Sequence, residues 1–170
     1  MSHSPTREPK PLPSLHYLTV QDILWINHRI TGRLNRFDYA RLEEASFYQY
    51  GYGKSNSLVP QAARFLSGFS KLKPFEAGNE ATCFVACCAF LLLNGMGLRL
   101  ADAGGAAWFE RIAQAQAAAE DAIAELASPD ESVHSDLLQN VSQSVEEVLR
   151  RYPQTVEALS RANMIRRIDD

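Results

Sequence analysis

The feature that most constrains this chain is a run of 13 residues from Ala81 to Leu93, which is apolar except at Thr82. A helix needs about 20 apolar residues to cross a bilayer, so the run is too short to span a membrane. A helix that is apolar on every side is buried inside a protein. The sequence therefore predicts that a helix Asn79–Asn94 lies at the centre of the fold, and that the chain does not enter a membrane.

The sequence before this run predicts a helix with local signals at both ends. Thr19 and Asp22 have the spacing of a capping box, with Asp in place of the usual Glu. Apolar residues then recur at helical spacing over Val20–Thr31, and Gly32 supplies a helix stop. We expect the first helix to occupy that range.

The spacing of apolar residues and the positions of helix-breaking proline and glycine predict the remaining helices. Lys73 precedes Pro74, and a residue before proline avoids the α region, so Lys73 closes the helix that begins near Pro60. The other predicted helices are Asp38–Ser46, Ala106–Leu126 after Gly104-Gly105, Ser132–Arg151, and Thr155–Asn163 after Pro153.

The segment Phe47–Gly53 differs from its surroundings because aromatic residues and glycines alternate along it. That pattern is typical of a loop or a hairpin. The predicted fold is therefore an all-α bundle around one buried central helix, with a small β-hairpin flap at this segment. Tyr48, Tyr50 and Tyr52 either cover the core as a lid or dock a partner chain, and the sequence leaves both alternatives open.

Three parts of the chain are predicted. Residues 1–14 are polar and rich in proline, which indicates a disordered arm without the apolar core of a signal peptide. Residues 15–127 form the helical domain. Residues 128–170 form a helical extension whose apolar stripe packs back on the domain or makes a homodimer or partner interface. The stripe consists of Leu137, Leu138, Val141, Val145 and Val148.

Composition narrows the functional classes. The chain has 17 basic and 20 acidic residues, a net charge of −3. That balance argues against a strongly basic nucleic-acid or membrane-surface binder. Cys83, Cys87 and Cys88 are an odd, clustered set inside the apolar run. They predict buried thiols in a reducing cytoplasm, not disulfides or a metal site.

The junction Lys73–Asn79 is the one segment with a chemical signal. A loop ending in Gly78-Asn79 at a helix start presents backbone N–H groups, which favour an anion together with the helix dipole. Every helix has such an end, so the alternative is a structural left-handed turn with Asn79 as a cap.

The order of these motifs resembles the Fic/Doc (Fido) family, most closely its Doc (death-on-curing) branch. The resemblance covers about Leu15 to Leu100. It implies a Fido-like bundle and transfer of AMP, another nucleotide fragment or a phosphate to a protein side chain, as in a toxin–antitoxin pair. The motifs that carry it are Tyr17-Leu18-Thr19, Pro60…Ala63…Phe65-Leu66, Pro74-Phe75-x-x-Gly78-Asn79 and Asn94-Gly95.

The chain departs from the family at its chemical positions. The family loop reads His-Pro-Phe-x-Asp/Glu-Gly-Asn-x-Arg, with a base, a Mg²⁺ ligand, a phosphate nest and a phosphate-binding arginine. Here Lys73, Ala77 and Ala81 replace the histidine, the acid and the arginine. Phe75, Gly78 and Asn79 match, and by the resemblance they are the anion- or nucleotide-binding residues. A positioned general base accelerates such a reaction by about 10²–10⁴-fold, so the loss of the histidine would reduce the rate severely.

Two functions follow. The first is a degenerate Fic/Doc-like protein that lacks the transferase activity, and for it the sequence assigns no cofactor. Such a protein would act as a binding or regulatory module that binds a protein partner through its flap or groove. The alternative is an active transferase that uses Lys73 as its catalytic residue and ATP or another nucleotide with Mg²⁺. The triple replacement favours the first. Neither calls for a nucleic-acid partner.

Overall fold

The computed structural model describes residues 15–51, 57–130 and 140–166, with side chains as far as residue 161. These ranges contain eight helices and one two-stranded antiparallel sheet, which confirms the predicted all-α class with a small two-stranded element. None of the described helices combines the length and apolarity needed to cross a bilayer. The elements are α1 Val20–Thr31, α2 Tyr39–Phe47, α3 Leu58–Leu72, α4 Asn79–Leu93, β1 Met96–Leu98, α5 Asp102–Ala113, α6 Ala119–Leu126, β2 Ala127–Pro129, α7 Val141–Arg151 and α8 Pro153–Arg166.

Helix α4 is the centre of the molecule, as the apolar run predicts. Every residue of α4 is buried except Glu80 and Leu93. Helices α1, α3, α7 and α8 all pack against it. Its all-round apolarity leaves no face for water, so the other elements must surround it.

Helix α1 begins and ends where its local signals predict. The Thr19 hydroxyl accepts a hydrogen bond from the Asp22 N–H at 3.1 Å, and the Asp22 carboxylate accepts one from the Thr19 N–H at 2.8 Å. Gly32 then adopts the left-handed conformation at φ 72° and ends the helix. The capping box is therefore complete.

The small sheet lies away from its predicted place at Phe47–Gly53. Phe47 is the last residue of α2, turns follow to Gly51, and residues 52–56 are outside the described part. The sheet instead pairs Met96 with Pro129 and Leu98 with Ala127. The described part of the aromatic segment is therefore the end of α2 and a turn, and this turn places the fully buried side chain of Gln49 in the core.

The predicted helix Ala106–Leu126 is wrong, because two helices occupy this region. Helix α5 runs through the Gly104-Gly105 pair, and the chain breaks later, where Ala115 takes φ 56°. Gly105 is needed inside α5 because a Cβ there would overlap the Thr155 hydroxyl of α8. The pair marks a helix crossing and not a helix end.

The C-terminal helices cover the core. In α7, Val145 and Val148 are buried, and the helix packs on α4. The predicted helix Ser132–Arg151 is seen from Val141 onward, while residues 131–139, with Leu137 and Leu138, lie outside the described residues.

Helix α8 begins against α5, where Asp102 serves as its cap. The Asp102 carboxylate accepts hydrogen bonds from the N–H groups of Gln154 at 3.0 Å and Thr155 at 2.9 Å. Desolvation acts to raise the pKa of Asp102, but these hydrogen bonds outweigh it and lower the pKa. A carboxyl with a lowered folded-state pKa stabilises the fold above its unfolded pKa, and that contribution is lost as the pH falls.

The two adjacent glycines of α5 give a matched test of this crossing. We expect Gly105→Ala to lower the free energy of unfolding by about 1–3 kcal/mol, because the added methyl group has to displace Thr155. Gly104→Ala meets nothing within 4 Å and should raise stability by about 0.5–1 kcal/mol. Urea unfolding followed by circular dichroism measures both. Equal effects would contradict the assigned crossing.

The cap of α1 gives a second test. Thr19→Ala should cost about 1 kcal/mol of unfolding free energy, because it removes half of the capping box. Ser57 occupies the same position before α3 without a side-chain cap hydrogen bond, so Ser57→Ala is the control and should change little. Thermal unfolding of the two variants side by side makes the comparison, and a larger loss for Ser57→Ala would refute it.

Candidate functional site

The loop Lys73–Gly78, between α3 and α4, is held by the extended segment before α2. The Asp38 N–H donates to the Pro74 carbonyl at 2.9 Å, and the Glu76 N–H donates to the Arg36 carbonyl at 2.9 Å. The Glu76 carboxylate accepts the Arg36 N–H at 3.1 Å. These bonds on alternate residues fix the loop against residues 36–38 as a short β-like pair.

Asn79, the first residue of α4, closes the loop from the inside. Its Oδ1 accepts the Phe75 N–H at 2.9 Å, and its Nδ2 donates to the Phe75 carbonyl at 2.7 Å. The residue is only 8% exposed. Both ends of the amide are thus used within the protein, and we call this arrangement the Asn79 clamp.

Gly78 is required at its position for two reasons. Its φ of 79° is left-handed, and a Cβ there would lie 2.6 Å from Cγ2 of Thr31. Beside it, Asn27 Nδ2 donates to the Ala77 carbonyl at 2.9 Å and to the Thr82 hydroxyl at 3.1 Å. The start of α4 therefore packs closely on α1.

The polar residues that make this contact were not identified from the sequence. Asn35 donates to the side chain of Asn27 at 2.9 Å and to that of Thr31 at 2.8 Å. The sequence signal for this network was Asn27 itself, a polar residue next to Ile26 on the apolar face of α1. A buried amide must find partners, so its place on that face predicts a polar network.

Lys73 lies at the rim of an open cleft. It ends α3 in the left-handed conformation at φ 45°, and its side chain is exposed. The cleft measures about 390 Å³ and lies between the end of α3, the start of α4 and the end of α5. Two lysines and two glutamates share its walls, so neither sign of charge dominates. The lining residues are Ser70, Lys71, Lys73, Glu80, Phe109, Glu110, Ala113 and Gln114.

The residues around the loop do not fit the nucleotide–Mg²⁺ site that the resemblance implies. Ala77 offers no ligand atom, and Ala81 is fully buried with no charge. The Glu76 carboxylate contacts the Arg36 backbone. Among the described residues, no group of three or more His, Cys, Asp or Glu side chains is placed to hold a metal ion. At positions 77 and 81 the protein therefore supplies neither a side-chain ligand for a metal nor a charge for a phosphate.

The aromatic residues predicted as a docking flap follow the opposite end of α2 from the loop. The ring of Tyr48 packs directly over Gly68 of α3. Tyr50 is 40% exposed, and its ring lies 4.2 Å from that of Tyr17. Tyr52 lies outside the described residues.

The three cysteines are buried, free thiols inside α4. Burial raises the pKa of Cys87 to about 12 and also raises the pKa of Cys83 and Cys88. The Cys83 thiol points to the Leu66 carbonyl, with 3.4 Å between sulfur and oxygen. Because the thiolate is the nucleophile and metal ligand, these residues serve as packing groups.

The geometry unites four predicted site residues, Lys73, Phe75, Gly78 and Asn79, in one loop and places the tyrosines elsewhere. Phe75 is buried, so within that group only Lys73 presents its side chain to solvent. The chain matches no family model, no curated protein and no solved structure. The Fic/Doc resemblance therefore stays a prediction.

The Asn79 clamp is testable through pH. In Asn79→Asp the new carboxylate would face the Phe75 carbonyl, and we expect a loss of about 2–3 kcal/mol of unfolding free energy at neutral pH. Burial raises the pKa of the new carboxyl in the folded state, and its protonated form can donate to the carbonyl. The deficit should therefore be smallest at low pH and grow as the pH rises through the folded-state pKa.

Urea unfolding of this variant at pH 4.5 and pH 7 measures the effect against wild type. The control is Asn140→Asp, because Asn140 caps α7 by accepting the Gln143 N–H, and aspartate caps equally well. A pH-independent deficit in Asn79→Asp, or the same pH dependence in both variants, would contradict the clamp.

Proposed function

We propose that this chain is a degenerate Fic/Doc-like protein of the cytoplasm that lacks transferase activity and acts as a protein-binding or regulatory module. The observation that carries the proposal is the Asn79 clamp. The asparagine that would help to form a phosphate nest has both polar atoms bonded to Phe75. Hydrogen bonds within the protein hold the loop in this shape.

The positions around the clamp support the same conclusion. Phosphoryl and nucleotidyl transfer depend on positioning and on charges that stabilise the transferred group, and an arginine of that kind contributes about 10³–10⁵-fold. Ala81 holds no charge and is fully buried. Lys73 supplies a point charge, but Glu80 and Glu110 share its cleft and would repel a phosphate.

A binding role is supported by the surface around α2. The large apolar side chains that are most exposed among the described residues all fall between residues 34 and 50, and we call them the 34–50 surface. They are Leu34, Phe37, Tyr39, Phe47 and Tyr50. Scattered exposed apolar residues are ordinary, but these five are concentrated in and beside one short helix, which makes this region the best candidate for an interaction site among the described residues.

The alternative function, an active transferase with an altered donor, rests on the cleft beside α4. Lys71 and Lys73 both line it, close to the positive end of the α4 dipole. A donor bound there would depend on the charge of Lys73, which makes the two functions separable.

Calorimetry with ATP, GTP, UTP and CTP, each with Mg²⁺, separates them. We expect no nucleotide to bind with a Kd below about 100 μM, equivalent to about −5.5 kcal/mol. Lys73→Ala should then behave as wild type. Tighter binding that weakens at least tenfold in Lys73→Ala and survives in Lys73→Arg would refute the proposal. Transfer of a labelled donor to a protein, abolished by Lys73→Ala, would establish the alternative.

A further inference from the structure

We propose that the 34–50 surface is a homodimer interface, on which a second copy of this chain packs in the opposite direction about a two-fold axis. The inference rests on the proposed binding function and names its partner. Three observations carry it: the exposed apolar area, the free face of α2, and the distribution of charge along the segment.

The apolar area approaches what a dimer needs. Leu34 is 88% exposed, Tyr39 60% and Phe47 52%. Large side chains bury about 150–250 Å² each, so five that are about half exposed offer on the order of 500 Å². A standard interface buries roughly 800 Å² on each partner, and the polar residues between these side chains supply the remainder.

Helix α2 presents one face to a partner because it packs through the other. Leu42, Ala45 and Ser46 are buried against the domain. Tyr39, Glu43 and Phe47 follow one another at intervals of four residues, so they lie in one row along the helix surface. Ala40 is exposed beside this row, and its small side chain permits close approach of a second helix.

Charge along the segment changes sign from one end to the other. Arg33 and Arg36 are exposed at the start of the segment, and Glu43 and Glu44 lie further along, on α2. Arg41 pairs with Asp38 at 3.9 Å, so those two charges offset each other. The surface therefore has a basic end and an acidic end.

This polarity selects the partner and its direction. When two copies pack antiparallel about a two-fold axis, each basic end meets the acidic end of the other copy, whereas parallel packing would place like charges together. A uniformly acidic or basic partner would be repelled at one end. The surface is thus complementary to itself.

The C-terminal stripe does not offer the same opportunity in its described part. Val145 and Val148, which a dimer of the C-terminal helices would use, are at most 2% exposed because α7 packs on α4. The homodimer inferred here uses the opposite end of the sequence.

Sedimentation velocity of the full chain from about 1 to 200 μM tests the inference. We expect a concentration-dependent monomer–dimer equilibrium. Two charge-reversed forms, Arg33→Glu with Arg36→Glu and Glu43→Lys with Glu44→Lys, should each weaken dimerisation at least tenfold, because each surface then carries one sign of charge. Circular dichroism confirms that both forms remain folded.

Mixing the two reversed forms gives the decisive measurement. One carries an acidic surface and the other a basic one, so an equimolar mixture should recover a dimer at least as stable as wild type. The matched control is Glu120→Lys with Glu125→Lys, which makes the same charge change on exposed residues of α6 and should leave dimerisation unchanged.

A wild-type chain that stays monomeric at 200 μM, a dimer that both reversed forms preserve, or a mixture that fails to associate would each overturn the inference. None of these outcomes bears on nucleotide binding. If the chain does not dimerise and calorimetry detects no nucleotide binding, the proposed binding function stands and its partner is a different protein. Nucleotide binding that depends on Lys73 would instead refute the proposed function.

Discussion

The nearly complete burial of α4 is the constraint on which the rest of the structure depends. A helix leaves unpaired N–H groups at its start and unpaired carbonyls at its end, and burial removes the water that would satisfy them. An asparagine stands at each end of α4. Asn94 donates to the carbonyls of Phe90 at 2.8 Å and His16 at 2.9 Å, and accepts the His16 N–H at 2.7 Å. Asn79 clamps Phe75 in the same two-way fashion. One amide thus fixes the segment that enters α1, and the other fixes the loop that enters α4.

Buried glutamines extend this scheme to α2. Gln49 accepts the Leu18 N–H and donates to the Leu18 carbonyl, both at 2.7 Å, and Gln61 donates to the Gln49 carbonyl at 3.0 Å. Such bonds are directional, so they set the position of α2 more narrowly than apolar contact would. The network anchors the turn that follows α2, and Leu42, Ala45 and Ser46 hold the helix against the domain, which leaves Tyr39 and Phe47 exposed. The candidate dimer surface is in this sense a product of how the core is locked.

The features that could be predicted from the sequence are those whose cause lies within a few residues. The limits of α1 follow from Thr19, Asp22 and Gly32, and the burial of α4 follows from composition alone. Gly105 was wrongly interpreted as a helix stop, because the contact that requires a glycine there is with Thr155, fifty positions away in the sequence. The candidate site likewise has features that the local sequence predicts and one that it does not. The left-handed turn at Gly78 and the closing of α3 at Lys73 were foreseeable, but the use of Asn79 as a clamp depends on where Phe75 lies in three dimensions.

Ala81 adds an evolutionary dimension to the start of α4. The residue is fully buried one turn into the central helix. An arginine acquired there by mutation would have to bury a guanidinium among packed side chains, at a cost of several kcal/mol unless a carboxylate and new space arose with it. Position 73 is different, because its side chain is exposed and packing does not restrict its charge. A lineage carrying this core can therefore explore new chemistry at the rim of the cleft, whereas packing opposes a charged phosphate-binding side chain at position 81 of the helix itself.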